Sequence, residues 1–240
     1  MRMDAPDYKK KALLCREFGH CGKLLGKILP IFVLVSTPKY PWDETSKRNF
    51  YQTVHEMEAA LISEAKRYGK SLSFESRYFY YSVKNEIGKQ GKVTVEEILK
   101  EHFSDWNIDK LQNYYAEHFK VDSAPFFFVF NSFDRSYAYQ GMRGYSLDGE
   151  YAILYTERKK YPAHTCMHEL LHLYGANDLY YPDELKAIAE KYCPHSIMLA
   201  VDYTEVDSFT AYTIGWTDEP DRYAKYFVDY IEWLEHQPKL

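Results

Sequence analysis

The sequence predicts an α+β fold in a single domain, and two patterns carry this prediction. Three short, continuous apolar runs have the length and composition of strands that are buried on both faces: residues 31–35, 126–130 and 151–155. Other stretches repeat apolar residues at three- and four-residue steps, which is typical of helices packed on a core. The chain has 240 residues, of which 46% are hydrophobic, so it is long enough for one sizeable core.

The N-terminal half alternates between strand and helix patterns. After the first apolar run, the spacing of apolar residues predicts a helix from Ser46 to about Tyr68, with Asp43 or Thr45 as its N-cap. Residues 72–80 then alternate between apolar and polar, which predicts a second strand. Helical spacing returns within residues 92–119, and we expect these helices to pack over the sheet.

The C-terminal half begins with strands and ends with helices. Residues 136–139 are expected to form a short partner strand near the apolar runs. Residues 183–192 have helical composition, and Asp207 is placed to cap a further helix that closes at Gly215. A last amphipathic stripe over residues 223–234 predicts a helix that packs against the body of the protein.

Residues 168–172 have the sequence His-Glu-Leu-Leu-His, which indicates a catalytic zinc site. Four residues advance a helix by about one turn, so His168 and His172 project from the same face and can direct two imidazole nitrogens at one metal ion. Glu169 lies about a quarter turn away, where its carboxylate can reach a water on the open side of the metal. We therefore predict that Glu169 is the general base of a single zinc centre.

The residues after this motif predict a sharp turn and a third ligand. Gly175 can adopt the left-handed conformation that ends a helix. The chain can then return towards the metal at Asp178, and Ser196-Ile197-Met198 follows further downstream. A carboxylate is an acceptable partner for two histidines, because two imidazoles and one carboxylate form a known catalytic zinc set.

This set of residues resembles the metzincin metallopeptidases, which combine His-Glu-x-x-His-x-x-Gly-x-x-His with a methionine turn below the zinc. The resemblance implies that His168 and His172 are ligands, Glu169 is the base, and Gly175 is the turn. It also implies that Met198 is the methionine beneath the metal. The expected fold is a twisted mixed sheet, packed with helices above a zinc cleft, and a small, mostly helical C-terminal lobe.

The resemblance is specific over residues 151–216 and divides the single domain, residues 1–240, at the turn. The N-terminal lobe would comprise residues 1–175 with the active-site helix, and the C-terminal lobe residues 176–240 with the methionine turn. Metzincins bind their substrate as an additional antiparallel strand. The strand of residues 151–155 directly precedes the active-site helix, and the resemblance implies that it borders the cleft.

The third ligand is where the chain departs from the usual metzincin pattern, because Asp178 stands at the position of a histidine. An aspartate there is similar to the snapalysin type of small neutral peptidase. Two other residues compete for this role: Asp183, by comparison with the aspzincins, and Glu190, by comparison with the gluzincins. Spacing favours Asp178, and neither alternative accounts for Met198.

The resemblance implies a zinc-dependent endopeptidase that hydrolyses the peptide bonds of a peptide or protein substrate with one catalytic Zn²⁺. The alternative is a catalytically silent, zinc-containing module of the same fold that binds proteins or peptides. A structural zinc site needs ligands but no base, so the presence of Glu169 favours the enzyme.

Charge and composition limit the partners and the compartment. A net charge of −5 supplies no basic field for phosphate backbones, so we expect no nucleic acid partner. No membrane span is apparent, and a monomer is favoured. No signal segment is visible, which predicts a cytoplasmic protein, or a secreted one if such a segment has been removed.

The four cysteines, Cys15, Cys21, Cys166 and Cys193, lack the paired spacing of a structural zinc site and are expected to be mostly buried, reduced thiols. Residues 20–22, His-Cys-Gly, are similar to part of the cysteine switch of matrix metalloproteinase propeptides. That comparison implies that Cys21 could occupy the open zinc position in a latent form, although the rest of the propeptide motif is missing from this chain.

Overall fold

The computed structural model describes residues 21–84, 92–102, 107–139, 150–157 and 160–236. Within these ranges the chain forms seven strands and seven helices. In chain order they are β1 (Gly26–Ile28), β2 (Ile31–Ser36), α1 (Glu44–Arg67), β3 (Leu72–Phe74), β4 (Arg77–Ser82), α2 (Lys92–His102), α3 (Ile108–Phe119), β5 (Phe126–Phe130), β6 (Tyr137–Tyr139), β7 (Tyr151–Tyr155), α4 (Pro162–His172), α5 (Asp183–Tyr192), α6 (Ser208–Thr213) and α7 (Ala224–His236). The predicted α+β character is confirmed.

The centre of the fold is a five-stranded mixed sheet with the strand order β4-β2-β5-β7-β6. Strands β4, β2, β5 and β7 are mutually parallel, whereas β6 pairs with β7 in the antiparallel direction. A separate parallel pair joins β1 to β3. The connections from β2 to β4 and from β4 to β5 run through helices, whereas β6 lies between β5 and β7 in the chain.

Alternating residues of the three apolar runs face two separate cores. One face of the sheet contributes Phe32, Leu34, Phe127, Val129, Ala152 and Leu154, and these pack with apolar residues of α1 and α4. The opposite face contributes Ile31, Val33, Val35, Phe126, Phe128, Phe130, Tyr151, Ile153 and Tyr155, and these pack with residues of α2 and α3. Helices thus cover both faces of the sheet, which explains why the runs are apolar at every position.

Helix α1 begins two residues earlier than expected, at Glu44, and ends close to the predicted bound, at Arg67. Asp43 is its N-cap: its carboxylate accepts from the Ser46 backbone N–H, and the Ser46 hydroxyl donates back towards Asp43. The choice left open between Asp43 and Thr45 is thereby resolved. The side chains that α1 buries include Phe50, Val54, Met57 and Leu61, at helical spacing.

Two strand expectations need correction. The single strand predicted for residues 72–80 is two strands, β3 and β4, which belong to different sheets. The strand expected to border the cleft, β7, is an interior strand between β5 and β6. Among the described strands, β6 stands at that edge of the sheet. The short partner strand expected at residues 136–139 is confirmed as β6, which pairs with β7.

Hydrogen bonds tie the C-terminal segments to the first half of the chain. The buried Glu64 carboxylate near the end of α1 accepts from the Val206 backbone N–H at 2.8 Å. The Tyr68 hydroxyl donates to the Val206 carbonyl at 2.8 Å, and the Trp216 indole N–H donates to the Leu24 carbonyl at 2.6 Å. Apolar residues of the C-terminal helices also join the core of α1 and α4.

Among the helices of the described ranges, none has the length and apolarity that crossing a bilayer requires.

Truncation of Phe127 tests whether the α1–α4 face of the sheet is the main packed core. Its ring is fully buried and lies 4.8 Å from that of Phe32, so Phe127→Ala leaves a cavity and is expected to lower the free energy of unfolding by about 3–5 kcal/mol. Urea denaturation measures this loss. The matched variant Phe79→Ala removes a ring that is 44% exposed and is expected to cost less than about 1 kcal/mol. Equal losses in the two variants would contradict this assignment of the core.

Candidate metal centre

Helix α4 presents both motif histidines on one face. The helix begins with Pro162 at its first positions, where a missing N–H costs nothing, and it runs to His172. His168 and His172 are one turn apart, and both are buried although they are polar. Their rings stand nearly perpendicular, with centroids 4.7 Å apart. Leu170 and Leu171 of the same helix are buried in the core and fix its orientation.

The end of α4 redirects the chain and also orients His172. Gly175 has a φ of +99°, a conformation that side chains disfavour, and the Ala176 N–H donates to the Leu171 carbonyl at 3.1 Å. The Ala176 carbonyl then accepts from Nδ1 of His172 at 2.8 Å. The same turn therefore ends the helix and fixes the second imidazole.

The segment Ser196–Met198, which the resemblance implies to be a methionine turn, orients His168. The Ile197 carbonyl accepts from Nδ1 of His168 at 3.0 Å. The Met198 carbonyl accepts from the Leu179 backbone N–H at 2.9 Å and so ties down the loop that carries Asp178. The Met198 side chain is fully buried. In this structure the backbone of the segment makes the polar contacts that position the site.

A buried carboxylate supports this turn from below. Asp207 accepts from the Ser196 hydroxyl at 2.6 Å, and its other oxygen caps α6 through the Phe209 and Thr210 N–H groups, as predicted for a cap. The Ser196 hydroxyl oxygen in turn accepts from the Met198 N–H at 3.1 Å. The Asp207 carboxylate therefore both caps α6 and holds the Ser196–Met198 segment that contacts His168.

Three candidate ligand atoms converge on one point. Nε2 of His168 lies 3.1 Å from Nε2 of His172, and Oδ1 of Asp178 lies 3.1 Å and 3.2 Å from these two nitrogens. A triangle with these sides has its centre about 1.8 Å from each atom, so an ion at a zinc bonding distance of about 2.0–2.1 Å fits just outside its plane. Among the described residues, no other His, Cys, Asp and Glu side chains form such a group.

The hydrogen bonds at Nδ1 explain why this triangle needs positive charge. Because each Nδ1–H donates to a carbonyl, the neutral form of each imidazole carries a lone pair on Nε2. Two lone pairs and the buried Asp178 Oδ1, which then has no hydrogen-bond donor among the described residues, face one another. Such an arrangement is unfavourable without a cation or a proton. The donor set and its spacing fit zinc.

The pKa values agree with this need for positive charge. Burial lowers the pKa of His172, but the Asp178 carboxylate outweighs burial and raises the pKa to about 9. Burial likewise opposes the ionisation of Asp178, but the two imidazoles hold its pKa well below its usual range. Because a metal takes only deprotonated imidazole, zinc would displace a proton from this cluster.

Glu169 is buried beside the triangle and lines the adjoining cavity. Burial raises the pKa of Glu169 above its ordinary value, while the nearby His172, His168 and Arg135 act in the opposite direction. A carboxyl group whose pKa lies closer to neutrality is better suited both to accept a proton and to release it again.

The sequence motifs did not indicate two residues of the site, Tyr180 and Arg135. Tyr180 donates its hydroxyl to Asp178 Oδ2 at 2.8 Å, and its ring stacks on that of His168. Burial, followed by this hydrogen bond, raises the pKa of Tyr180 to about 12. Arg135 donates from Nη2 to the Tyr180 hydroxyl at 3.0 Å. The position of Tyr180, two residues after Asp178, is the only clue that the sequence offered.

A cavity of about 490 Å³ opens beside the triangle. Its lining includes Arg135 and Ser136, which come just before β6, and Val201 and Asp202, which follow the Ser196–Met198 turn. A smaller cavity of about 100 Å³ extends it along Tyr137 and Ala138 of β6 to the three candidate ligands. The space next to the candidate ligands therefore borders the edge strand.

The competing third ligands stay away from the histidines. Asp183 lies in the first turn of α5, and Glu190 pairs with Lys186 at 3.5 Å on the same helix. Neither belongs to the group formed by His168, His172 and Asp178.

The described cysteines are free thiols, and none of them belongs to the candidate metal group. Cys21 is buried in the core, and burial raises the pKa of its thiol well above the ordinary value, so it is held as the thiol rather than the thiolate. This position gives no support to a cysteine switch. Cys15 lies outside the described residues.

A comparison of the chain with protein-family models and with curated proteins finds no match. The candidate role of the site therefore rests on its residues and their geometry.

Removal of the Tyr180 hydroxyl tests whether it supports the ligand carboxylate. Tyr180→Phe leaves Asp178 Oδ2 without this donor and is expected to weaken zinc binding by about 10–100-fold, the usual effect of losing a hydrogen bond to a ligand. Competition with a chromophoric chelator measures the change. Tyr203→Phe is the control, because this ring packs on His195 and does not line the cavity. Unchanged affinity in Tyr180→Phe would contradict the assignment.

Proposed function

We propose that this protein is a zinc-dependent endopeptidase of the metzincin type. The observation that carries the proposal is the convergence of His168, His172 and Asp178 on one point, beside the buried Glu169 and an open cavity. Two imidazoles and one carboxylate form a catalytic rather than a structural zinc set, because they leave a coordination position open. A cavity beside that position gives a substrate access to it.

His168, His172 and Asp178 would hold the metal through Nε2, Nε2 and Oδ1. Zinc bound there would supply a Lewis acid that polarises the peptide carbonyl and lowers the pKa of a water molecule. The Nδ1 hydrogen bonds keep both imidazoles in the tautomer that this role requires.

Glu169 is the proton-transfer group of the proposed mechanism. Its carboxylate takes the proton from the attacking water and delivers it to the amine that leaves when the C–N bond breaks. Its burial suits it to both steps, because burial disfavours the charged form and shifts its pKa towards neutrality. No covalent intermediate with the chain is needed.

Strand β6 is the proposed guide for the substrate backbone. Among the described strands it has a neighbour on one side only, and Tyr137 and Ala138 line the cavity next to the candidate ligands. A peptide added antiparallel to such an edge pairs through its main chain, which needs no particular side chains. This arrangement would lay a scissile bond beside Glu169.

A silent binding module would need the three ligands and the cavity but not Glu169. A buried carboxylate with a raised pKa carries an energetic cost, which favours a role for it in the reaction. The family assignment rests on the motif of residues 168–178 and on the Ser196–Met198 segment.

The variant Glu169→Gln tests the proposed function. It keeps the size of the side chain and removes the base, so peptide cleavage is expected to fall by about 10²–10⁴-fold while bound zinc stays equal to that of the wild type. The measurement is cleavage of a diverse peptide mixture, read by mass spectrometry, with zinc quantified in both samples. Full zinc occupancy without cleavage by the wild type would favour the binding module, and equal cleavage by both proteins would exclude Glu169 as the base.

A further inference from the structure

Arg135 places a positive charge at the candidate active site. It comes just before β6, its side chain lines both the larger and the smaller cavity, and its charge lowers the pKa of the nearby Glu169. Its one side-chain hydrogen bond within the described residues goes from Nη2 to the uncharged hydroxyl of Tyr180. A guanidinium has five N–H donors, so most of them stay available to a ligand in the cavity.

None of the neighbouring carboxylates neutralises this guanidinium. Asp134 accepts from the Arg135 backbone N–H at 2.7 Å, and Asp178 is reached only through Tyr180. Asp202 lines the larger cavity on the side that follows the Ser196–Met198 turn. Among the described residues, no ion pair joins a carboxylate to the guanidinium nitrogens of Arg135. The lining of the cavity thus includes one positive group, Arg135, and the carboxylate of Asp202.

The Tyr180 contact also limits where the guanidinium can lie. Tyr180 is fixed by its hydrogen bond to Asp178 and by stacking on His168, so the bond from Arg135 anchors one edge of the guanidinium against the metal centre. The remaining edge can form two parallel hydrogen bonds with a carboxylate, which is the geometry that arginine prefers. An anchored arginine loses less side-chain entropy on binding than a free one.

We propose that Arg135 determines specificity by binding a carboxylate of the substrate, so that the preferred substrates are peptides with Asp or Glu close to the scissile bond. This inference rests on the proposed peptidase function and adds the substrate class. The main chain pairs with β6, which is indifferent to sequence, and Arg135 selects the side chain that enters the cavity beside it. Acidic peptides also gain from long-range attraction to this charge.

Reversing the charge of Arg135 is the most direct test. A variant that only loses structure would cleave all peptides less, but it would not invert a preference for Glu over Lys. Three peptides that are identical except for Glu, Gln or Lys at one position are prepared for each position flanking a mapped cleavage site. Wild type is expected to cleave the best Glu peptide with a kcat/KM about 10-fold above its Lys counterpart, and Arg135→Glu is expected to reverse that order. Arg222→Glu is the matched control, because it makes the same charge change at a residue that lines neither cavity. It should keep the preference of the wild type.

A second variant separates specificity from support of the metal. Tyr180→Phe removes the bridge between Arg135 and Asp178 but keeps the guanidinium, so the preference for Glu should persist even where zinc affinity falls. Zinc content is measured in every sample. Preference for Glu in Arg135→Glu, or no preference in the wild type, would overturn the proposal.

A binding measurement distinguishes failure of this proposal from failure of the peptidase assignment. Peptides of one fixed host sequence with Glu, Gln or Lys at each position in turn, which need no mapped cleavage site, are titrated into zinc-loaded Glu169→Gln, with and without Arg135→Glu, and affinity is read by fluorescence anisotropy. If the wild type cleaves nothing, tighter binding of the Glu peptide that Arg135→Glu reverses still supports the role of Arg135. Equal binding of the Glu and Lys peptides in this arm would overturn that role whether or not cleavage occurs.

Discussion

The site depends on two hydrogen bonds from imidazole to backbone. Nδ1 of His168 donates to the Ile197 carbonyl, and Nδ1 of His172 donates to the Ala176 carbonyl. These bonds choose the tautomer, aim both Nε2 lone pairs at Asp178, and create a local need for positive charge. Without them the histidines would be two polar residues on one face of a helix. With them, the backbone sets the geometry of the candidate metal centre.

Contacts from both halves of the chain hold the Ile197 carbonyl in place. Glu64 on α1 fixes Val206, the Glu205 carbonyl beside it accepts from the Ile197 N–H at 2.9 Å, and Ile197 then contacts His168. Asp207 supports the same turn through Ser196. The first long helix and the C-terminal segments therefore meet at the site, and a shared apolar core joins them. The position of one imidazole is set by a chain of contacts that runs through both halves of the sequence.

The parts of this account that depend on local pattern could be predicted from the sequence. Fully apolar runs identified β2, β5 and β7, the cap at Asp207 identified α6, and the i, i+4 spacing of His168 and His172 identified the candidate ligands. Strand order could not be predicted, because the pairing of a strand such as β6 depends on distant residues. For the same reason, the sequence did not identify the edge strand of the sheet.

Arg135 and Tyr180 show a second limit of sequence patterns. Each is one arginine or tyrosine among many, and what distinguishes them is a contact formed between a strand edge and a loop more than forty residues away. Tertiary structure alone brings these side chains together. The residue types of the candidate ligands and the helix that carries two of them follow from the local sequence. The charge that lines the cavity depends on tertiary contacts.

The most direct test of the account is calorimetric titration of zinc into the wild type, His172→Ala and Asp178→Ala, with the metal first removed and folding checked by circular dichroism. The account predicts one high-affinity ion per chain in the wild type, with proton release on binding, and a large loss of affinity in both variants. No binding by the folded wild type, or affinity unchanged in both variants, would contradict the claim that these three side chains form a metal centre.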